Sequence, residues 1–220
     1  TGASRGIGYD TVLALAKNPT NQIIAVARKE DRLLALRKES ANNNIQIIPL
    51  DITDFDEVYL SSALSDIASI DVLINNAGVF PNRTNIDEIS EELIDETFGV
   101  NLKGEFFTSQ HFSQLAKPNS RIINIASLGG LEIWKGRLPY HVSKSALLHM
   151  TRALAIELAP NISVNSVSPG AIHIPEEPAD DSSLISIEKI PMKRYGTADD
   201  IFEAVYFFAT TTNYITGQNI

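Results

Sequence analysis

The chain alternates short apolar runs with longer stretches in which apolar residues recur at helical spacing. Ile7 to Lys17 has helix spacing, and a β-branched run, QIIAVA, follows from Gln22 to Ala27. Glu30 to Ser40 returns to a charged helical pattern, Ile45 to Leu50 to an apolar strand, and Phe55 to Ala68 to a helix. A compact strand from Asp71 to Ile74 ends at Asn75. A helical zone from Glu91 to Lys117 is interrupted at Gly99 and Gly104, and Arg121 to Ala126 is the next strand. The helix from Pro139 or Tyr140 to Ala159 stops at Pro160, and Ser163 to Val167 is extended. After Pro169 and Gly170 the pattern loosens around Pro175, Pro178 and the acids Asp180 and Asp181. Asp199 to Ala209 then restores a helix before the tail ITGQNI. Strands that are apolar throughout are buried on both faces, so this alternation predicts an α/β fold, a parallel sheet with helices on both sides. Right-handed crossovers place the loops after the strands on one edge, where ligands bind. No repeat or linker divides the chain, which predicts one domain over 1–220.

Composition narrows the classes of function. With 220 residues, 44% hydrophobic and 20% charged, the chain is long and apolar enough for one folded domain with a sizeable core. A formal net charge of −9 gives no general attraction to nucleic acid or anionic lipid. The absence of Cys excludes disulfides, cysteine nucleophiles and thiolate metal sites, and His111, His141 and His149 show no metal-ligand spacing. No apolar stretch is long enough for a membrane span and no basic-then-apolar leader opens the chain, so a cytoplasmic protein is expected. The sequence begins at Thr1 without Met, inside a glycine motif. The expectation is therefore that a first strand, and a C-terminal tail, lie outside these residues.

That motif is TGASRGIG, with Gly2, Gly6 and Gly8 ahead of a helical pattern. Glycines permit a tight turn and close backbone approach, and the helix start presents unpaired N–H groups to a pyrophosphate. Followed by further βα units, the loop reads as the dinucleotide site of a Rossmann-type, doubly wound sheet. The end of the second strand, where an acid would hold a ribose 2′-OH, carries Arg28, and Arg5 sits in the loop. Two guanidinium groups suit a 2′-phosphate, which favours NADP(H) with NAD(H) as the alternative. In the competing reading Arg28 is a solvated strand end and Glu30 or Asp31 holds the ribose. Asp51 and Ile52, at the end of the third strand, suit an adenine pocket, although a helix-capping role fits Asp51 as well. Asn75, Asn76, Ala77 and Gly78 follow the next strand, where small residues admit a nicotinamide ribose and an Asn can tie neighbouring loops together.

Tyr140 and Lys144 are four residues apart in a helical segment and project from one face. Ser127 follows the strand RIINIA at its carboxyl end, within reach of that helix. Hydride addition to a carbonyl leaves an alkoxide that needs a proton. Bringing a tyrosine from its ordinary pKa to about 7 takes roughly 4 kcal/mol of phenolate stabilisation, which a nearby ammonium in a desolvated cleft can supply. Ser127 would donate to the developing oxyanion. Phe80 and Trp134 either line a substrate pocket or anchor loops, His173 sits in the expected substrate loop, and Phe106 and Phe107 belong to core or subunit interface.

Taken together these motifs resemble the short-chain dehydrogenase/reductase family across essentially the whole chain. TGASRGIG, including Ser4 and Ile7, is similar to the family's cofactor loop, DIT at 51–53 to its adenine site and NNAG at 75–78 to its post-strand segment. The resemblance implies a catalytic tetrad of Asn101, Ser127, Tyr140 and Lys144. In it Tyr140 transfers the proton, Ser127 orients substrate, Lys144 binds the nicotinamide ribose and lowers the Tyr140 pKa, and Asn101 anchors a water. It also implies that Pro169 and Gly170 face the nicotinamide, that Ile172 lies near the carboxamide, and that the protein forms a homotetramer or dimer. Segments such as NLKGEFF and ELAPNISVNSVSPGAI resemble both pteridine-reductase-like and 3-oxoacyl-carrier-protein reductase members. The expected function is NADPH-dependent hydride transfer to a small carbonyl or pteridine-like substrate. A 3-oxoacyl-carrier-protein reductase and a non-catalytic NADP(H)-binding regulator are the alternatives.

Overall fold

The structure, a computed structural model, describes residues 1–54, 60, 62–174 and 185–220. Helix α1 (Gly6–Ala16) leaves the glycine loop and leads to β1 (Ile23–Ala27), and α2 (Glu30–Glu39) returns the chain to β2 (Ile45–Pro49). β1 and β2 pair in parallel, from Ile23 with Ile45 to Ala27 with Pro49. The strands β3 (Ile70–Asn75), β4 (Ala116–Ile125) and β5 (Ile162–Val167) form a second parallel set in that spatial order. The opening residues lie between the two sets: the Ala3 N–H donates to Val26 O at 3.2 Å and the Thr1 amino group to Ile74 O at 2.8 Å.

Helix α3 (Glu91–Phe98), a π-helical turn (Gly99–Gly104) and α4 (Glu105–Leu115) join β3 to β4. Helix α5 (Leu138–Glu157) joins β4 to β5, and α6 (Ala198–Thr210) lies beyond β5. The predicted disturbance at Gly99 and Gly104 is this π turn. A Cβ on Gly104 would stand 2.8 Å from the side chain and carbonyl of Ile52, so only glycine lets the turn approach the loop after β2. Neighbouring residues of a strand face opposite ways, and β4 uses both sides. Ile122 packs with Phe112 of α4 and Ala155 of α5, whereas Ile123 packs with Val205 and Phe208 of α6. Both isoleucines are fully buried, which is why these strands read as unbroken apolar runs.

The structure departs from the sequence reading at one helix end and adds pairing in the tail. The helical zone does not reach Lys117; α4 ends at Leu115 and β4 begins at Ala116. Pro118 explains this, because its ring excludes the helical conformation from the residue before it. The tail ITGQNI pairs beside β5: Gly217 N–H donates to Val164 O at 2.7 Å and Ser166 N–H to Gln218 O at 2.9 Å. Of the helix predicted over 55–68, Leu60, Ser62 and Ala63 are helical, and residues 55–59 and 61 lie outside the described residues. So do residues 175–184, which include Pro175, Pro178, Asp180 and Asp181. Among the described residues no helix is long and apolar enough to cross a membrane, and no cluster of acids and histidines is placed to hold a metal ion.

Candidate active site

The carboxyl ends of the strands open onto one cleft of about 570 Å³. Gly2, Ser4, Arg5, Gly6 and Ile7 line it from the glycine loop, Arg28 from the end of β1, and Asp51 and Ile52 from the loop after β2. Ala77 and Gly78 follow β3, Ser127 follows β4, Pro169, Gly170 and Ile172 follow β5, and Tyr140 and Lys144 come from α5. Most of the expected cofactor positions thus converge, because parallel strands deliver their following loops to the same edge.

Two do not. Gly8 is buried behind the loop, where a Cβ would stand 2.3 Å from Asn76 Nδ2 and 2.4 Å from Gly2 O, so its part is close packing rather than contact. Asn75 is fully buried, and its amide donates to Ser109 Oγ at 2.8 Å and Asn124 Oδ1 at 3.0 Å, tying β3 to α4 and β4. The neighbouring Asn76 reaches the cleft instead, and its Nδ2 donates to Thr1 O and Gly2 O at 3.2 and 3.3 Å, holding the glycine loop against the end of β3. Strand parity decides between these two asparagines, and a run of NN conceals it.

The residues present fit a dinucleotide. No side chain caps the start of α1, and its first turn holds no acid, so its leading N–H groups open to the cleft, where a pyrophosphate would accept them. Lys29 and Arg32 add to Arg5 and Arg28 on the cleft wall, although Glu30 and Asp31 stand between the first two in the sequence. Arg28 Nη1 lies 3.7 Å from Asp51 Oδ2. Partial burial pushes the Asp51 carboxyl up, but hydrogen bonds from Thr53 and the Arg28 guanidinium outweigh it and hold the group below its ordinary value. Both partners are substantially exposed, so this pair contributes little to stability and leaves Arg28 open to a phosphate.

At the other end of the cleft, Ser127 closes β4 and caps a short 3-10 turn (Leu128–Gly130), its Oγ accepting the Gly129 N–H at 3.0 Å. The turn sets the Ser127 hydroxyl beside Tyr140, where it pulls the phenol's pKa down. Phe80 meets the Tyr140 ring edge to face at 4.6 Å, and the buried Arg137 guanidinium lies 4.1 Å from the Phe80 centroid. His141, for which the sequence held no signal, pins this loop from both nitrogens. Nδ1 pairs with Gly129 O at 2.6 Å, and Nε2 accepts the Trp134 N–H at 2.9 Å and lies 3.1 Å from Trp134 O. Trp134 and Phe80 both line the cleft.

Burial pushes the Tyr140 phenol above its ordinary value; the Ser127 hydrogen bond and the Arg137 charge pull it down without reversing the shift. The expected lowering by Lys144 is therefore not the balance found in the protein alone. Lys144 Nζ donates to Ile125 O at 2.9 Å, and burial holds its ammonium below the ordinary lysine value. Asn101, in the π turn, stands just behind the cleft. Its Oδ1 accepts the Val79 N–H at 2.8 Å, and its Nδ2 donates to Val79 O at 3.0 Å and Ser143 Oγ at 3.1 Å. It clamps the loop after β3 to α5.

Comparison with known proteins shows the family to which the chain belongs. A family model described as enoyl-(acyl carrier protein) reductase matches residues 2–220. The 3-oxoacyl-[acyl-carrier-protein] reductase FabG of Staphylococcus epidermidis is 34% identical over 230 residues, covering 100% of this chain and 94% of the relative. A solved short-chain dehydrogenase/reductase from Serratia marcescens superimposes with a TM-score of 0.89 at 30% identity, covering 100% of this chain and 92% of that one. ElxO with NADP bound superimposes with a TM-score of 0.86 at 27% identity, covering 100% and 94%. The chain belongs to the short-chain dehydrogenase/reductase family and is an NAD(P)-dependent oxidoreductase on a Rossmann-type fold.

Proposed function

We propose that the protein is an NADPH-dependent carbonyl reductase in which Tyr140 is the proton donor. The observation that carries this reading is the convergence of Ser127, Tyr140 and Lys144 on the same cleft as the glycine loop and the cationic wall around Arg28. A bound nicotinamide supplies a hydride to the carbonyl carbon. Ser127 orients the carbonyl oxygen, and Tyr140, whose burial favours the protonated phenol, delivers a proton to the alkoxide that forms. Lys144 takes the nicotinamide ribose hydroxyls and stabilises the phenolate left behind, and Asn101 keeps the loop after β3 at its distance from α5. Arg28, with Arg5, holds the 2′-phosphate. The NADP-bound neighbour and the FabG relative support this choice of cofactor and of reaction.

A 3-oxoacyl thioester, a small ketone and a dihydropteridine cover the substrate classes in question. Stopped-flow NADPH oxidation against these three is expected to show turnover with a carbonyl compound. Fluorescence-detected NADPH binding without oxidation by any of them would identify a non-catalytic binding protein instead.

A further inference from the structure

Glu105 is an anomaly that the reaction so far leaves unused. It is the first residue of α4, four positions beyond Asn101 and just past the π turn, so both side chains are turned toward α5. Its side chain is fully buried, and neither carboxyl oxygen has a hydrogen-bond partner among the described residues. Its nearest charge is Lys144, whose Nζ lies 3.8 Å from Oε1, too far for a direct hydrogen bond and close enough for strong charge coupling. Asn75, which donates to Ser109 Oγ one turn further along α4, also keeps an unpaired buried oxygen. A buried carboxyl with both oxygens unsatisfied is a poor stabilising device, because desolvation offsets the Coulomb attraction. Its place behind the lysine of the active site needs another account.

Resting on the proposed role of Tyr140 and Lys144, we propose that Glu105 is a positioning residue of the acid/base centre. It is a buried carboxyl that acts through Lys144 to retain the centre's protons and incline it toward proton donation, the direction of carbonyl reduction. The charged and titratable groups that face it are Lys144 and Tyr140 from α5 and the Thr1 amino group from the opening segment. Burial pushes the Glu105 carboxyl up to about 8, against the opposing pull of Lys144. As pH rises, Glu105 therefore gives up its proton ahead of Tyr140, whose phenol burial pushes above its ordinary value. The carboxylate so formed raises the pKa of both Lys144 and Tyr140. Without it, one or the other loses its proton at lower pH, and either loss ends proton delivery. The sign of the effect is the same by both routes.

The test is the pH profile of kcat/KM for reduction of a 3-oxoacyl thioester, or of whichever carbonyl in the panel above is turned over, by wild type and Glu105→Gln. The alkaline limb of the variant is expected to move to lower pH by about one unit or more. Glu105→Asp, which keeps the charge, should restore most of the shift, a rescue that a purely structural role does not give. Glu105→Leu carries the same test where the Gln variant does not fold, and NADPH fluorescence reports whether the cleft is intact. A variant with an intact cleft whose limb superimposes on wild type overturns the inference. Tyr140→Phe, assayed in parallel, separates the two levels. Normal turnover there would remove the proton-donor reading itself, whereas lost turnover with an unmoved Glu105→Gln limb would reject Glu105 alone.

Discussion

Tyr140 and Lys144 were legible as a pair because helical periodicity is local: residues four apart share a face whatever the rest of the fold does. Tyr140→Phe is expected to lower kcat at least about 100-fold while NADPH still binds, the usual scale for losing a positioned general acid. Single-turnover kinetics beside equilibrium fluorescence checks this, and near-normal kcat would end the assignment. Arg28 was legible for a different reason, since the end of the second strand is where a sheet of this topology reads the adenosine ribose. Arg28→Ala is expected to raise KM for NADPH at least about tenfold more than KM for NADH, equivalent to roughly 1.4 kcal/mol of discrimination. Equal effects on the two cofactors would reassign Arg28 to the solvated strand end that the sequence also allowed. Glu105 and His141 gave no sign of themselves. Their meaning is set by burial and by partners across the fold, Lys144 for one and Gly129 with Trp134 for the other.

At the scale of elements, propensity and punctuation located most helices and strands to within a few residues. The errors fall where one residue vetoes a pattern, as Pro118 does at the end of α4, or where pairing is non-local, as in the tail beside β5. The glycine loop is an element whose packing can be tested directly. Gly8→Ala drives a methyl into Asn76 Nδ2 and the Gly2 carbonyl, and the loop must move. The expected result is a loss of NADPH affinity of tenfold or more, by titration calorimetry, in a protein that remains folded by circular dichroism. Retained affinity would show that the loop has slack the structure does not reveal. Helix α6 opens on a capping box in which Thr197 accepts the Asp200 N–H and Asp200 accepts the Thr197 N–H. Thr197→Ala is expected to cost about 1 kcal/mol in urea unfolding.

Across the whole molecule, α4 and α5 leave Phe106 42%, Val142 45% and Leu138 46% exposed, apolar side chains that a solitary subunit gains nothing by presenting. We propose that these helices pack against a second copy, and sedimentation velocity should find a dimer or tetramer; a monomer at assay concentration would refute it. The alternation of apolar runs with helical spacing was enough to specify a parallel sheet with helices on both faces, since only doubly buried strands carry unbroken runs such as RIINIA. The same parallel order sends the loops after the strands to one edge, so the sequence by itself sets the glycine loop, Ser127 and the Tyr140–Lys144 pair on the same side of the sheet. Packing supplied the remainder. Which of two adjacent asparagines enters the cleft depends on strand parity, and which carboxylate lies behind Lys144 depends on a π turn against Ile52. Whether Tyr140 holds its proton more or less firmly than a free phenol depends on how far burial outweighs the neighbouring Ser127 and Arg137. Periodicity is a property of a few residues in a row, whereas desolvation and charge coupling arise only between residues that folding has brought together.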